Sequence, residues 1–296
     1  MGRMELRKRI DEGLFLLDGA MGTQLMARGV AAGKCNDYLN IEAADIILDI
    51  HRRYFEAGSD AVITNTFGSN RIALKRHGLD KDVAKINFAG AEIARKAAGD
   101  GKYVLGDIGP SGDFLQPLGN LMADELKEAF AEQAKGLGEG GVDGFIIETM
   151  TAVDEVKVAV EAVKSVSGLP IFVSLSYDKA GEGFRTMMGV SVAEAVKQVM
   201  PLGVDAMGFN CGTLGMEEYV ELAKVYAAQI GSKAVLLAEP NAGKPELVDG
   251  RAVYKLSGEE FAETSEEIYA AGAVILGGCC GTGPEHIRAM AKKLRK

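Results

Sequence analysis

An α/β barrel of eight parallel strands, the (β/α)8 or TIM type, is the fold this 296-residue sequence predicts, and three observations predict it. Eight short apolar runs recur along the chain. Amphipathic segments with helix-entry signals separate them, and no Pro/Ser tract, low-complexity run or charge block interrupts the series. Eight parallel strands close on themselves around an interior filled by side chains, which fits this count better than an open doubly wound sheet. One barrel needs about 250 residues, so residues 1–296 are expected to form a single domain. Its active site should lie at the C-terminal ends of the strands.

The runs, in order, are LFLLDG (14–19), AVITNTF (61–67), YVLGDIGP (103–110), GFIIET (144–149), IFVSLSY (171–177), AMGFNCG (206–212), AVLLAEPNAG (234–243) and AVILGGCCG (273–281). Each is continuously apolar at its front, as a parallel strand buried on both faces requires, and turns polar or glycine-rich at its end. Between them, Ser191 with Glu194 and Ser257 with Glu260 have the capping-box spacing that marks a helix entry, and Thr151 with Asp154 imitates it.

Composition narrows the class. The chain is 47% hydrophobic and 25% charged, lacks tryptophan, and has no apolar run near the roughly 20 residues of a membrane-spanning helix. The start, MGRMELRKRIDEG, has no signal-peptide core, and Leu6 stands where a myristoylation motif wants Ser or Thr. A cytoplasmic location is the expectation. The formal net charge of -9 argues against nucleic acid or an anionic membrane as a partner. Four cysteines without framework spacing imply no disulfide scaffold, and in a reducing compartment clustered thiols serve as metal ligands or catalytic groups.

The strand ends carry Asp18, Asn65, Thr66, Asp107, Glu148, Thr149, Ser174, Ser176, Asn210, Cys211, Glu239, Asn241, Cys279 and Cys280. The adjacent pair Cys279 and Cys280 therefore ends the eighth strand as Cys211 ends the sixth. Three thiolates suit Zn²⁺, and a catalytic zinc keeps its fourth position open. Gly277, Gly278 and Gly281 would let the backbone leave strand geometry so that both adjacent sulfurs turn inward. The competing reading makes Cys211 a small core residue and the pair buried or joined in a strained vicinal disulfide; the spacing leaves both open. Cys35 reads as a free loop cysteine, and His51 and His77 as surface or packing residues. His286, in the first turn of the last helix, points away from the mouth. Asp18 and Glu148 can form an acid/base pair or receive a cationic group, although Asp18 can equally cap loop amides. Asp107 reads as the brace of a glycine-rich turn.

In order, DGAMGT, NTF followed by Asn70, GDIGPSG, ETM, GFNCG, PNAG and GGCCGT resemble the motifs of the homocysteine S-methyltransferase family over nearly the whole chain. Within it, LDGAMGT, PNAGKP and GGCCGT followed by PEHIRAM are most similar to the homocysteine-binding barrel of cobalamin-dependent methionine synthases. The resemblance implies that Cys211, Cys279 and Cys280 hold zinc, which binds homocysteine sulfur as a thiolate, and that Asn210 lies beside the metal. It also implies that Asp18 and Glu148 clamp the substrate ammonium. Backbone N–H groups of the turn after Asp18, at Gly19 and Ala20, would hold its carboxylate.

A methylcorrinoid such as methylcobalamin is the implied methyl donor, carried by a separate protein or module, because this chain has no D-x-H-x-x-G cobalamin signature. Asp49 and His51 approach it, but Tyr54 stands in place of the glycine. The chain is then an excised module or a stand-alone enzyme. Relatives that use S-methylmethionine usually read GGCCRT, so Gly281 weighs against that donor, and betaine is a further alternative. Two other classes compete. An aldolase would need a Schiff-base lysine on a strand, and no strand end carries one; a zinc or thiol module without catalysis would have no use for carboxylates placed to hold an amino acid.

Overall fold

The computed structural model describes residues 4–31, 33–248 and 251–295. Each of the eight runs contains one strand: β1 (Phe15–Leu16), β2 (Ala61–Ile63), β3 (Tyr103–Ile108), β4 (Gly144–Met150), β5 (Ile171–Leu175), β6 (Ala206–Asn210), β7 (Val235–Glu239) and β8 (Ala273–Leu276). They form one parallel sheet in the order β1-β8-β7-β6-β5-β4-β3-β2, the order of a barrel opened at the seam between β1 and β2. Asp60 and Asp18 close that seam. Asp60 donates its N–H to Leu16 O at 2.6 Å and accepts the Leu16 N–H on its carboxylate at 2.9 Å, while both Asp18 oxygens accept the Ile63 N–H at 3.2 Å.

Alternation along the strands builds the interior. Phe15, Leu17, Ala61, Tyr103, Leu105, Ile146, Phe172, Ala206, Leu237 and Ile275 form one buried cluster, and Leu6 and Ile10 of the first helix (Leu6–Asp11) close it at the strands' N-terminal ends. A larger apolar cluster lies between the outer face of the sheet and the surrounding helices. The barrel is thus filled below, and chemistry is confined to the opposite end.

The capping boxes at Ser191/Glu194 and Ser257/Glu260 form as the spacing predicts. Thr151 does not cap. The helix Val153–Val166 starts one residue later, with Ala152 at its N-cap, and its first-turn Glu155 accepts from the Ser111 backbone and hydroxyl at 2.8 and 2.7 Å. Two antiparallel hairpins that periodicity does not predict follow β5 and β7: Asp178–Ala180 with Gly183–Arg185, and Glu246–Val248 with Arg251–Val253. No described helix is long and apolar enough to cross a membrane.

Candidate active site

The inward register continues past the apolar cluster into polar residues. Two positions beyond Leu105, Ile146, Phe172 and Leu237 stand Asp107, Glu148, Ser174 and Glu239, and four beyond Ala206 and Ile275 stand Asn210 and Cys279. A polar layer therefore roofs the apolar one at the mouth.

Cys279 reaches the mouth by register alone; Cys211 and Cys280 do not. Asn210 already faces inward, so its neighbour should face out, yet Cys211 adopts a left-handed φ of 56°, which turns its sulfur to the same side. Such a conformation in a non-glycine residue costs on the order of 1–3 kcal/mol and persists where surrounding contacts enforce it. Here the Tyr219 hydroxyl donates to Cys211 O at 2.7 Å and the Cys211 N–H donates to Glu239 O at 3.3 Å. After Cys280, Gly281 has φ +82°, and a Cβ there would lie 2.3 Å from Tyr254 Cβ and Cγ. Only glycine allows this turn under the tyrosine.

The three sulfurs converge. Cys211 Sγ is 3.9 Å and Cys279 Sγ is 4.0 Å from Cys280 Sγ, and all three lie within 4.8 Å of one another. All four cysteines are free thiols, so the vicinal-disulfide reading is not realised, and Cys35 lies apart from the group. A tetrahedral zinc with Zn–S bonds of about 2.3 Å separates its sulfurs by about 3.8 Å. The spacing fits that ion. So does the charge balance. Hydrogen bonds from Cys211 and Cys279 hold the Cys280 thiol well below its ordinary pKa, while hydrogen bonds to Cys211 and Cys280 push Cys279 up. The cluster carries one negative charge readily and resists further ones, a resistance that a divalent cation removes.

Beside the thiols is an acidic well. Asp18, Asp107 and Glu239 are 3%, 4% and 2% exposed, and the half-buried Glu148 lies beside them. Burial raises all four carboxyls, Glu148 to about 7, and neighbouring carboxyls push Asp18, Asp107 and Glu239 further. Asp107 Oδ1 and Glu239 Oε2 are buried without a hydrogen-bond partner. Four carboxyls in low dielectric cannot all ionise unless a cationic group enters, and an ammonium is of the right charge.

Asn210 joins thiols and carboxyls. Its Nδ2 donates to Glu148 Oε2 and Thr149 Oγ1, both at 2.7 Å, and approaches Cys279 Sγ at 3.7 Å. Its Oδ1 accepts from Thr149 N at 2.8 Å and Ser174 Oγ at 2.5 Å, which holds Thr149 at its own left-handed φ of 57°.

The structure thus brings together Cys211, Cys279, Cys280, Asn210, Glu148 and Asp18. Asp18 accepts the Ile63 amide of the neighbouring strand β2 rather than an amide of the loop that follows it, and it lies in the acidic well. Of the backbone donors after it, the Ala20 N–H is engaged by Thr282 Oγ1 at 3.1 Å. His286 faces away from the thiols: its Nδ1 accepts the Gly283 N–H at 3.1 Å, which leaves Nε2 protonated to donate to Leu256 O at 2.9 Å. His51 is fully buried, with burial lowering its pKa to about 3, and His77 is exposed. Asp107 does not brace its turn; it faces the interior beside Glu148, a placement its spacing from Leu105 already signalled. Sequence reasoning gave no role to Glu239, Tyr254 or Thr282, nor to Asn241, whose Nδ2 donates to Gly212 O at 2.8 Å while its buried Oδ1 is unpartnered.

One mouth of this barrel thus carries three convergent thiols that could hold a metal ion, beside an acidic well that could take a cationic group. The chain belongs to the homocysteine S-methyltransferase family, and so to the methyltransferases: the family's model matches residues 15–294. It is 34% identical to methionine synthase of Mycobacterium leprae over 97% of this chain and 25% of that protein. With methionine synthase of Mycobacterium tuberculosis it shares 35% identity, over 93% of this chain and 24% of that protein. The chain spans about a quarter of the length of these curated relatives. In fold it is similar to the homocysteine methyltransferase MmuM from Escherichia coli in its metallated form, with a TM-score of 0.80 at 23% identity over 99% of this chain and 100% of that one.

Proposed function

We propose that this chain is a cytoplasmic, zinc-dependent barrel, one module over residues 1–296, that methylates the sulfur of homocysteine to give methionine with a methylcorrinoid on a separate protein or module as donor. The observation that carries the reading is the convergence of Cys211, Cys279 and Cys280 to within 4.8 Å of one another next to the buried carboxyls. Zinc held by the three sulfurs would supply a Lewis acid that keeps the substrate thiol ionised at neutral pH, and three thiolate ligands leave that sulfur electron-rich.

The chain's own residues do the rest. Glu148 and Asp18 receive the ammonium, and Asn210, fixed by Ser174 and Thr149, keeps Glu148 in register with Cys279. Orientation is thereby set before the donor arrives. Burial of the well removes competing water and strengthens the ammonium contact. The methylcobalamin donor is supported by the similarity to methionine synthases and by the GGCCGT wording at Gly281, where users of S-methylmethionine usually read GGCCRT. The test is methionine formation by the zinc-loaded chain from homocysteine with free methylcobalamin, S-methylmethionine or betaine. Product from methylcobalamin supports the reading; product from S-methylmethionine or betaine alone would overturn the donor assignment.

A further inference from the structure

The two loops that build the site meet at one hydroxyl. Thr282, fully buried, donates from Oγ1 to Cys279 O at 2.6 Å and accepts the Ala20 N–H on the same atom at 3.1 Å. One oxygen thus joins the turn after Asp18 to the backbone of a thiol residue. Further bonds run in parallel: Gly278 N–H to Asp18 O at 3.0 Å, Gly281 N–H to Thr23 Oγ1 at 3.0 Å, and the Tyr54 hydroxyl to both Ala20 O and Thr282 O at 3.1 and 3.3 Å. The approach leaves no spare volume. A Cβ on Gly19 would lie 2.7 Å from Thr282 Oγ1, and one on Gly278 would lie 2.6 Å from it.

We infer that Thr282 is a positioning residue that sets the distance between the two ends of the substrate's site, the amino-acid end at Asp18 and the sulfur end at Cys279. The inference rests on the homocysteine reading above. A ligand that spans both ends needs both loops at a fixed separation, whereas a simple thiol uses only one of them. Thr282 touches neither end of the substrate and acts through Ala20 and Cys279. The bonds from Gly278 to Asp18 and from Gly281 to Thr23 do not use its side chain and keep the metal loop on its course, whereas the Ala20 N–H is held by Thr282 Oγ1, so loss of the hydroxyl shifts the turn at Ala20 relative to Cys279.

The experiment compares wild type, Thr282→Val and Thr282→Ser, each zinc-loaded, by zinc per chain and by calorimetric affinity for homocysteine and for 1-propanethiol, which is homocysteine without its amino and carboxyl groups. The isosteric Val variant removes both bonds and orphans the Ala20 N–H, so its homocysteine affinity should fall roughly tenfold. Its propanethiol affinity and zinc content should match wild type, and Ser should restore homocysteine binding. An unchanged ratio of homocysteine to propanethiol affinity in the Val variant would overturn the positioning role, as would loss of zinc from that variant, which would make Thr282 a support of the metal loop alone. Failure of wild type to take up zinc would instead overturn the reading beneath it.

Discussion

Glu148→Gln isolates the charge of the ammonium receptor. The amide has the same shape and still offers an oxygen to Asn210 Nδ2, which donates to Glu148 at 2.7 Å, so the link to Cys279 is kept while the negative charge is lost. A charge-assisted hydrogen bond contributes about 1.5–3 kcal/mol, so amino-acid affinity should fall by roughly 10- to 150-fold at high pH. The pH dependence sharpens the test. Burial pushes the Glu148 carboxyl up to about 7, and it must be ionised to receive an ammonium. At pH 8 about nine tenths of it is ionised and at pH 6 about one tenth, so wild-type affinity should weaken roughly tenfold between them. The Gln variant should stay flat, and the gap between the two proteins should shrink by the same factor. L-methionine is the ligand to use in calorimetry, because it carries the same amino-acid end and no thiol to titrate. Equal affinities at pH 8, or a wild-type affinity independent of pH, would remove Glu148 from the receptor.

Three further outcomes follow from the same geometry. Cys211→Ser, Cys279→Ser and Cys280→Ser should each lose zinc and methyl transfer, while Cys35→Ser, outside the thiol group, should keep both; full activity in a zinc-free Cys211→Ser protein would contradict the metal's role. Asn210→Ala removes four hydrogen bonds of a buried side chain at about 1 kcal/mol each, and denaturant unfolding should show a loss of about 3–4 kcal/mol; a loss under about 1 kcal/mol would mean the network carries no stability. In ligand-free protein the raised Glu148 carboxyl contributes stability present below its ordinary 4.5 and lost as pH rises through about 7. Glu148→Gln cannot ionise, so its Tm relative to wild type should improve from pH 5 to pH 8, and a constant difference would refute the shift.

The strands were legible because parallel strands buried on both faces read as unbroken apolar runs, and all eight fall where those runs lie. The hairpins were not, since Asp178–Ala180 and Gly183–Arg185 are short and largely exposed and carry no apolar signal. Within the site, Cys279, Glu148 and Glu239 follow from the period of two, and so does Asp107, whose glycine-rich surroundings drew attention to its loop instead. Cys211 is different: its sulfur reaches the mouth only through a left-handed backbone enforced by Tyr219 and Glu239, contacts made across the fold. Thr282 and Tyr254 escaped for the same reason, because what they touch comes from elsewhere in the sequence. Thr151 failed as a cap because the helix starts at Val153, which puts Ala152 at the N-cap and leaves Thr151 one residue before it.

The central claim is that three cysteines from two strand ends make one metal site. Plasma mass spectrometry on untagged protein purified without chelators, with and without homocysteine, tests it most directly. One zinc per chain, retained when homocysteine is added, is the predicted result. No zinc, with four reactive thiols and no uptake on reconstitution, would contradict the site and the chemistry built on it.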